Sequence, residues 1–308
     1  MVRRLAAVSV DLDALHHYFA IHGLAPAEGA ADEAYDRALE RMGAWAEVRR
    51  IPLTLFAVGE DLERENAALI LAVLARRGHA VENHSYSHRY DLTRLDREAM
   101  RREVEAGAQA IERVTGRRPS GFRAPGYTVN DALFDVLDEA AVSFDSSVFP
   151  CPPYYLAKAA AMAGMRAAGR VSRSVLDTPC VMTAPTIPYR PGARWSSRAG
   201  APRRFVELPV QVTPGARLPF IGTMLGVAGA RVSARLARSC VGEPLVNLEL
   251  HSIDFLDATE GLLALAPHQP ELRVPLAARL AALDAAVDVL TDAGHTFVRL
   301  DEAARAFT

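Results

Sequence analysis

Through the first half of the chain, short apolar runs alternate with longer stretches of helical composition. Leu5–Val10 reads as a buried strand and Leu53–Val58 as a second. Asp32–Arg49 and Asn66–Arg77 read as helices, the latter with Leu69, Ile70 and Val73 on one side and Gly78 as its stop. His79–Asn83 predicts a third strand, Leu95–Thr115 a long helix closed by Gly116, and Gly121–Arg123 a fourth strand. Asn130 caps a helix over Asp131–Ala140, and Ser143–Val148 follows as a fifth strand. Residues 150–203 break the rhythm: prolines and aromatics, including Tyr154, Tyr155, Tyr189 and Trp195, replace any period. Regular structure resumes with a strand at Phe205–Val210, a helix near Val227–Ser239 and a strong strand at Leu245–Leu250. A helix at Leu276–Ala293, a strand at Thr296–Leu300 and a short helix at Asp301–Ala306 complete the pattern.

Strands alternating with helices imply a parallel sheet, open or closed into a barrel, whose ligands meet the C-terminal strand ends. With no internal repeat and no low-complexity linker, one domain over residues 1–308 is the simplest organisation, with 150–203 as an irregular excursion or cap.

Composition narrows the function classes. The 308 residues are 50% hydrophobic and 23% charged, which excludes a disordered chain. A net charge of −2 gives no basic field for nucleic acid. Cys151, Cys180 and Cys240 are far apart and form no CxxC pair, so neither a disulfide framework nor a zinc ribbon is supported. Arg3 and Arg4 precede an apolar run of only six residues, Leu5–Val10, which Asp11 and Asp13 end. That is shorter than the roughly 7–15 residues of a signal-peptide core. No run approaches the roughly 18 apolar residues of a membrane span, so the expectation is a soluble cytoplasmic protein.

Four polar segments stand at predicted strand ends. Asp11 and Asp13, two apart, face the same way on a strand, although a turn or cap aspartate is the plainer reading of either alone. His84 and His88 lie one turn apart if a helical turn begins there, a spacing that presents two imidazoles to a metal; surface histidines at a helix start are the alternative. A carboxylate from a neighbouring strand end would complete a three-ligand N/O site with a position left for water. Arg123-Ala124-Pro125-Gly126-Tyr127 is a turn that can bring a backbone N–H to a ligand, or a structural turn with a solvent-facing arginine. His251 ends a buried strand, placed for proton transfer or held in the core by a hydrogen bond. His16, His17 and His22 line the same region or sit on a helix face.

Taken in order, these segments resemble the five motifs of the polysaccharide deacetylase family (carbohydrate esterase family four, the NodB homology domain). Ser9-Val10-Asp11-Leu12-Asp13 stands for the first, His84-Ser85-Tyr86-Ser87-His88 for the second, and Arg123-Ala124-Pro125-Gly126-Tyr127 for the third. Phe144-Asp145-Ser146-Ser147 resembles the looser fourth, and Leu248-Glu249-Leu250-His251 the fifth. The first motif departs from the usual adjacent aspartates and is similar to the Asp-x-Asp of atypical branches, including peptidoglycan-deacetylase-like and aminoarabinose-deformylase-like members.

The resemblance implies a distorted (β/α) barrel and a divalent metal, most often zinc, with cobalt or nickel as alternatives. It implies Asp13, His84 and His88 as metal ligands and Asp11 as general base, with Arg123 orienting it. His251 would be the general acid, the Tyr127 backbone N–H would help hold an oxyanion, and Asp145 would polarise His251. The implied activity is removal of an N-acetyl or N-formyl group from an amino sugar that is free, nucleotide-linked or carried on a lipid. A C–N hydrolase on a non-sugar amide, allantoinase-like, is one alternative; an inactive carbohydrate-binding relative is another.

Overall fold

The computed structural model describes residues 4–24, 30–167, 169, 172, 174–176 and 178–308. Met1–Arg3, which open the N-terminal segment weighed above, and several positions of the 150–203 excursion lie outside the described residues. The strands are β1 (Leu5–Leu12), β2 (Leu53–Ala57), β3 (Ala80–Asn83), β4 (Gly121–Phe122), β5 (Phe144–Asp145), β6 (Val206–Glu207), β7 (Leu245–His251) and β8 (Thr296–Phe297). The α-helices are α1 (Leu15–Ile21), α2 (Ala30–Arg49), α3 (Glu65–Arg76), α4 (Arg97–Thr115), α5 (Asp131–Glu139), α6 (Pro152–Ala167), α7 (Gly222–Ala228), α8 (Ala230–Cys240), α9 (Leu276–Asp292) and α10 (Leu300–Ala304).

All strand pairings are parallel, in the order β6-β5-β4-β3-β2-β1-β7, and β8 pairs the start of β1 at Leu5 and Ala6. The sheet curls until the segment after β6 meets β7, where the Gln211 N–H donates to the Asn247 carbonyl at 3.0 Å. The result is the distorted barrel that the motifs implied.

β1 is buried along its whole length, as a strand covered on both faces must be, and its two faces do different work. Ala6, Val8, Val10 and Leu12 face outward into the main core, packed with residues of α2, α3, α8 and α9. Leu5 and Ala7 face into the barrel, where Phe56, Phe144 and Leu245 fill the interior together with Leu300, Ala303 and Ala304 of α10. Further along this inward row come Ser9 and Asp11. The same succession runs up β7, from Leu245 through Asn247 and Glu249 to His251, and the register sets Ser9 beside Glu249 and Asp11 beside His251. The barrel interior therefore changes from apolar to polar toward the C-terminal strand ends.

Three local expectations are corrected. Along α3 the buried residues are Ala67, Leu71 and Leu74, while Leu69 is 58% exposed and Val73 is also exposed. The face was misassigned because a short helix rich in Ala and Leu offers more than one apolar stripe. The excursion at 150–203 contains a regular 16-residue helix, α6, entered through Pro152 and Pro153. Its composition is Ala-rich and almost entirely solvent-facing, so no apolar period marks it. The helix placed at Val227–Ser239 is two helices, because Gly229 (φ 76°) breaks the path between α7 and α8. Among the described residues no helix is long and apolar enough to cross a membrane.

Helix α4 approaches the sheet most closely at Gly107. A Cβ there would stand 2.3 Å from Asn83 Oδ1 and 2.9 Å from the Ser85 backbone. Gly107→Ala is expected to destabilise the fold by about 1–3 kcal/mol through overpacking. Gly164→Ala, in the open interior of α6, should stabilise it by about 0.5–1 kcal/mol. Urea unfolding midpoints measure both, and similar shifts at the two positions would refute the close approach.

Candidate active site

The strand register gathers the motif residues at one rim. Asp11 pairs with Phe56 and His251, Asn83 with Phe122, and Phe122 with Asp145. The residues that follow these strands, Asp13, His84 and Arg123, turn over the same end of the barrel.

Asp13, His84 and His88 are all buried. Asp13 Oδ1 lies 3.3 Å from His84 Nε2 and 3.0 Å from His88 Nε2. Neither Asp13 Oδ1 nor His88 Nε2 has a hydrogen-bond partner. His84 Nδ1 lies 2.8 Å from the Arg123 carbonyl, and since a carbonyl only accepts, that nitrogen carries a proton, which leaves Nε2 as the lone-pair donor whenever the ring is neutral. Converging lone pairs on buried atoms repel unless a cation stands among them. The donor set, two imidazoles and a carboxylate, therefore fits a divalent metal ion. Burial alone would push the Asp13 carboxyl up, yet the two histidines hold it well below the usual carboxylate range.

The two histidines are not on a helix. The Gly59 and Glu60 N–H groups donate to the Ser85 and Tyr86 carbonyls, and the Ser87 N–H and hydroxyl both donate to the Glu103 carboxylate of α4. Ser85 (φ 64°) and His88 (φ 50°) adopt left-handed backbone conformations that turn the loop back on itself. The sequence spacing suggested helical stacking; a bent loop clamped by α4 achieves the convergence instead.

Arg123 is fully buried and makes four side-chain hydrogen bonds. Its Nη1 donates to Asp11 Oδ1 at 2.6 Å, Nη2 to the Ser9 and Ser146 hydroxyls at 2.8 Å each, and Nε to the Ser146 carbonyl at 2.9 Å. The guanidinium also lies 4.2 Å from the centroid of the Phe56 ring. Burial works against its charge, and Asp11 and Glu249 more than offset this. Asp11 is thereby fixed through one oxygen, while its Oδ2 lies 3.9 Å from His84 Nε2, toward the ligand set.

His251 is paired with a carboxylate, but not the expected one. Its Nδ1 lies 2.8 Å from Glu249 Oε1. Burial would lower the imidazole's pKa, and Glu249 raises it well above the ordinary value. Asp145 instead accepts from the Ser147 hydroxyl at 2.8 Å and the Ser147 N–H at 3.1 Å. It lies beside buried Glu207, whose carboxyl is driven well above its usual range by burial and by Asp145 itself. Asp145 thus braces the rim between β5 and β6.

The third motif also differs from expectation. The Tyr127 N–H donates to the Ala124 carbonyl at 3.1 Å, closing a tight turn, so it is not directed at a ligand in this conformation. The Tyr127 hydroxyl is buried without a hydrogen-bond partner, and its ring stands edge-on to His251.

Sequence reasoning quoted Ser9, Ser146 and Glu249 within motifs without giving them a role, and missed Asn247. The alternation Asn247, Glu249, His251 between leucines was the available signal, since it places three polar groups on the inward face. A cleft of about 610 Å³, lined by His16, His17, Glu60, His88, Tyr90 and Arg94 among others, opens beside the ligand set.

Comparisons with known proteins bear on the fold. Residues 22–144 match the family described as polysaccharide deacetylase. A crystal structure assigned as a polysaccharide deacetylase from Mycobacterium smegmatis shares the fold with TM-score 0.59 and 18% identity, over 99% of this chain and 90% of that one. The structure of T48 deacetylase with substrate gives TM-score 0.50 and 15% identity, over 99% and 93%. A family pseudoenzyme from Bacillus anthracis gives TM-score 0.51 and 11% identity, over 98% and 66%. No curated protein matches the chain at the sequence level.

The Glu249 contact predicts how His251 titrates. In the wild type its imidazole should remain protonated through pH 6.5, losing its charge only at higher pH. In Glu249→Gln the raising influence is removed while burial remains, so the titration should move down. An NMR pH titration of the imidazole reads this directly, and an unchanged midpoint would refute the pairing.

Proposed function

We propose that the chain is a polysaccharide-deacetylase-type, metal-dependent amide hydrolase removing an N-acyl group, acetyl or formyl, from an amino sugar or sugar conjugate; the family match over residues 22–144 and the shared fold support this reading. The observation that carries this reading is the convergence of Asp13, His84 and His88 beside an Asp11 locked by Arg123 and a His251 charged by Glu249. Fold likeness alone would not suffice, since a pseudoenzyme shares it; here the ligand, base and acid positions are all occupied.

Asp13, His84 and His88 would hold the ion. Zinc suits two imidazoles and a carboxylate, and cobalt or nickel would be accepted by the same set. When bound, such an ion supplies Lewis acidity that lowers the pKa of water and polarises an amide carbonyl. The protein's own groups do the rest. Arg123 occupies Asp11 Oδ1, which leaves Oδ2 free to take a proton from an attacking water. The fixed orientation removes the rotational search that a free carboxylate would require. Glu249 keeps His251 protonated, so a proton is ready for the departing amine, a poor leaving group without one. The products are a carboxylic acid and a free amine. Tyr18 and Tyr127 stand edge-on to His251, and Tyr154 stands edge-on to Tyr127.

Release of acetate or formate from a panel of N-acetyl and N-formyl amino sugars, free and conjugated, with and without chelator, tests the reading. Chelation should abolish turnover. Asp11→Asn should lower kcat by about 100-fold or more while bound metal is retained. Chelator-insensitive hydrolysis, or an Asp11→Asn variant with full activity, would overturn the mechanism. Hydrolytic ring opening of cyclic ureides, with no acetate or formate released from the sugars, would replace the substrate class.

A further inference from the structure

A second group of metal-type donors lies outside the machinery just described. Helix α1 carries His16 and His17 on the wall of the cleft, with their ring centroids 3.9 Å apart. Asp61 approaches from the 3-10 turn that follows β2. One ligand atom from each of His16, His17 and Asp61 lies within 4.8 Å of the others.

Two of these atoms are unsatisfied. Asp61 is only 4% exposed, and its carboxylate accepts from the Ala14 N–H. Its Oδ2 has no donor, and neither has His17 Nε2, 3.9 Å away. That separation is too long for a hydrogen bond, and leaving two buried polar atoms unpaired is costly. An ion with bonds of about 2.0–2.2 Å holds tetrahedral donors roughly 3.4 Å apart, so a small contraction converts this pair into ligands. His16 is exposed and free to close on the third position. No residue is shared with the Asp13, His84 and His88 set, and the His17 and His88 rings lie 4.3 Å apart between the two groups.

We propose that His16, His17 and Asp61 form a second divalent-cation site of the zinc type, open to the cleft and separate from the ligand set of the deacetylase centre. Because one ligand is exposed, this site binds more weakly than the buried one. Its ion stands where a polar group of a molecule in the cleft would meet it. The site does not depend on the reaction proposed above.

The test is metal stoichiometry. The full-length protein is stripped with chelator, titrated with zinc chloride and assayed for bound zinc by mass spectrometry, with circular dichroism as the folding control. The wild type should bind two equivalents. His17→Gln and Asp61→Asn should each bind one, His84→Gln should lose the other, and surface variant His16→Ala should weaken the second equivalent about tenfold or more. A wild type with one equivalent or none, or an Asp61→Asn variant that keeps both, would overturn the proposal. Two wild-type equivalents with only the His84→Gln loss absent would sustain this site and refute the buried ligand set instead. If Asp61→Asn fails to fold, His16→Ala decides, and unchanged affinity there overturns the proposal.

Discussion

The buried guanidinium of Arg123 is the interaction on which the rim depends. A charge taken wholly out of water persists only with compensating partners, and here four of the five guanidinium N–H groups donate to named acceptors. Asp11 and Ser9 answer it from β1, and the Ser146 hydroxyl and carbonyl from just past β5. The network continues: Ser9 donates to Asn247 Oδ1, and Asn247 Nδ2 donates to the Ser146 hydroxyl. Strands distant in the chain are thus held in register by directional bonds, where hydrophobic packing alone would tolerate slippage. The geometry of Asp11 follows from this register.

The barrel and the identity of the rim residues were legible because β1 and β7 read as apolar strands and because titratable residues stand at or just past their C-terminal ends. Asp11, Asp13, His84, His88, Arg123 and His251 do come together. What stayed illegible were relations that no local pattern encodes. Glu249 partners His251 because adjacent inward positions on one strand lie close in space, yet Asp145 looked equally suitable as a distant carboxylate. The His84–His88 spacing carries the same letters whether the backbone is helical or bent. Contacts distant in the chain decide between the two, among them Glu103 and the missing side chain of Gly107, both from α4, and the Gly59 and Glu60 N–H groups.

The 150–203 region illustrates a different limit. A helix such as α6, nearly all of it solvent-facing, leaves no apolar stripe to read. The Tyr127 turn is another case: Pro125 and Gly126 signalled a turn, but whether its N–H faces a ligand or its own Ala124 carbonyl is set by backbone angles that composition does not fix.

The plugging of the barrel floor by α10 has a consequence in time as well as space. β1 is made first, but its partners β7 and β8 follow far behind, with contacts 238 residues apart at Ser9–Asn247 and 290 apart at Leu5–His295. At synthesis rates of about 5–20 residues per second, β1, though it can pair β2 early, waits tens of seconds for β7 and β8 on its other edge. Throughout that interval its apolar edge is unpaired, and the rim at the opposite end cannot acquire its final shape. An unpaired edge is a template for pairing with another chain until β7 arrives, and non-local pairings of this kind form late in folding.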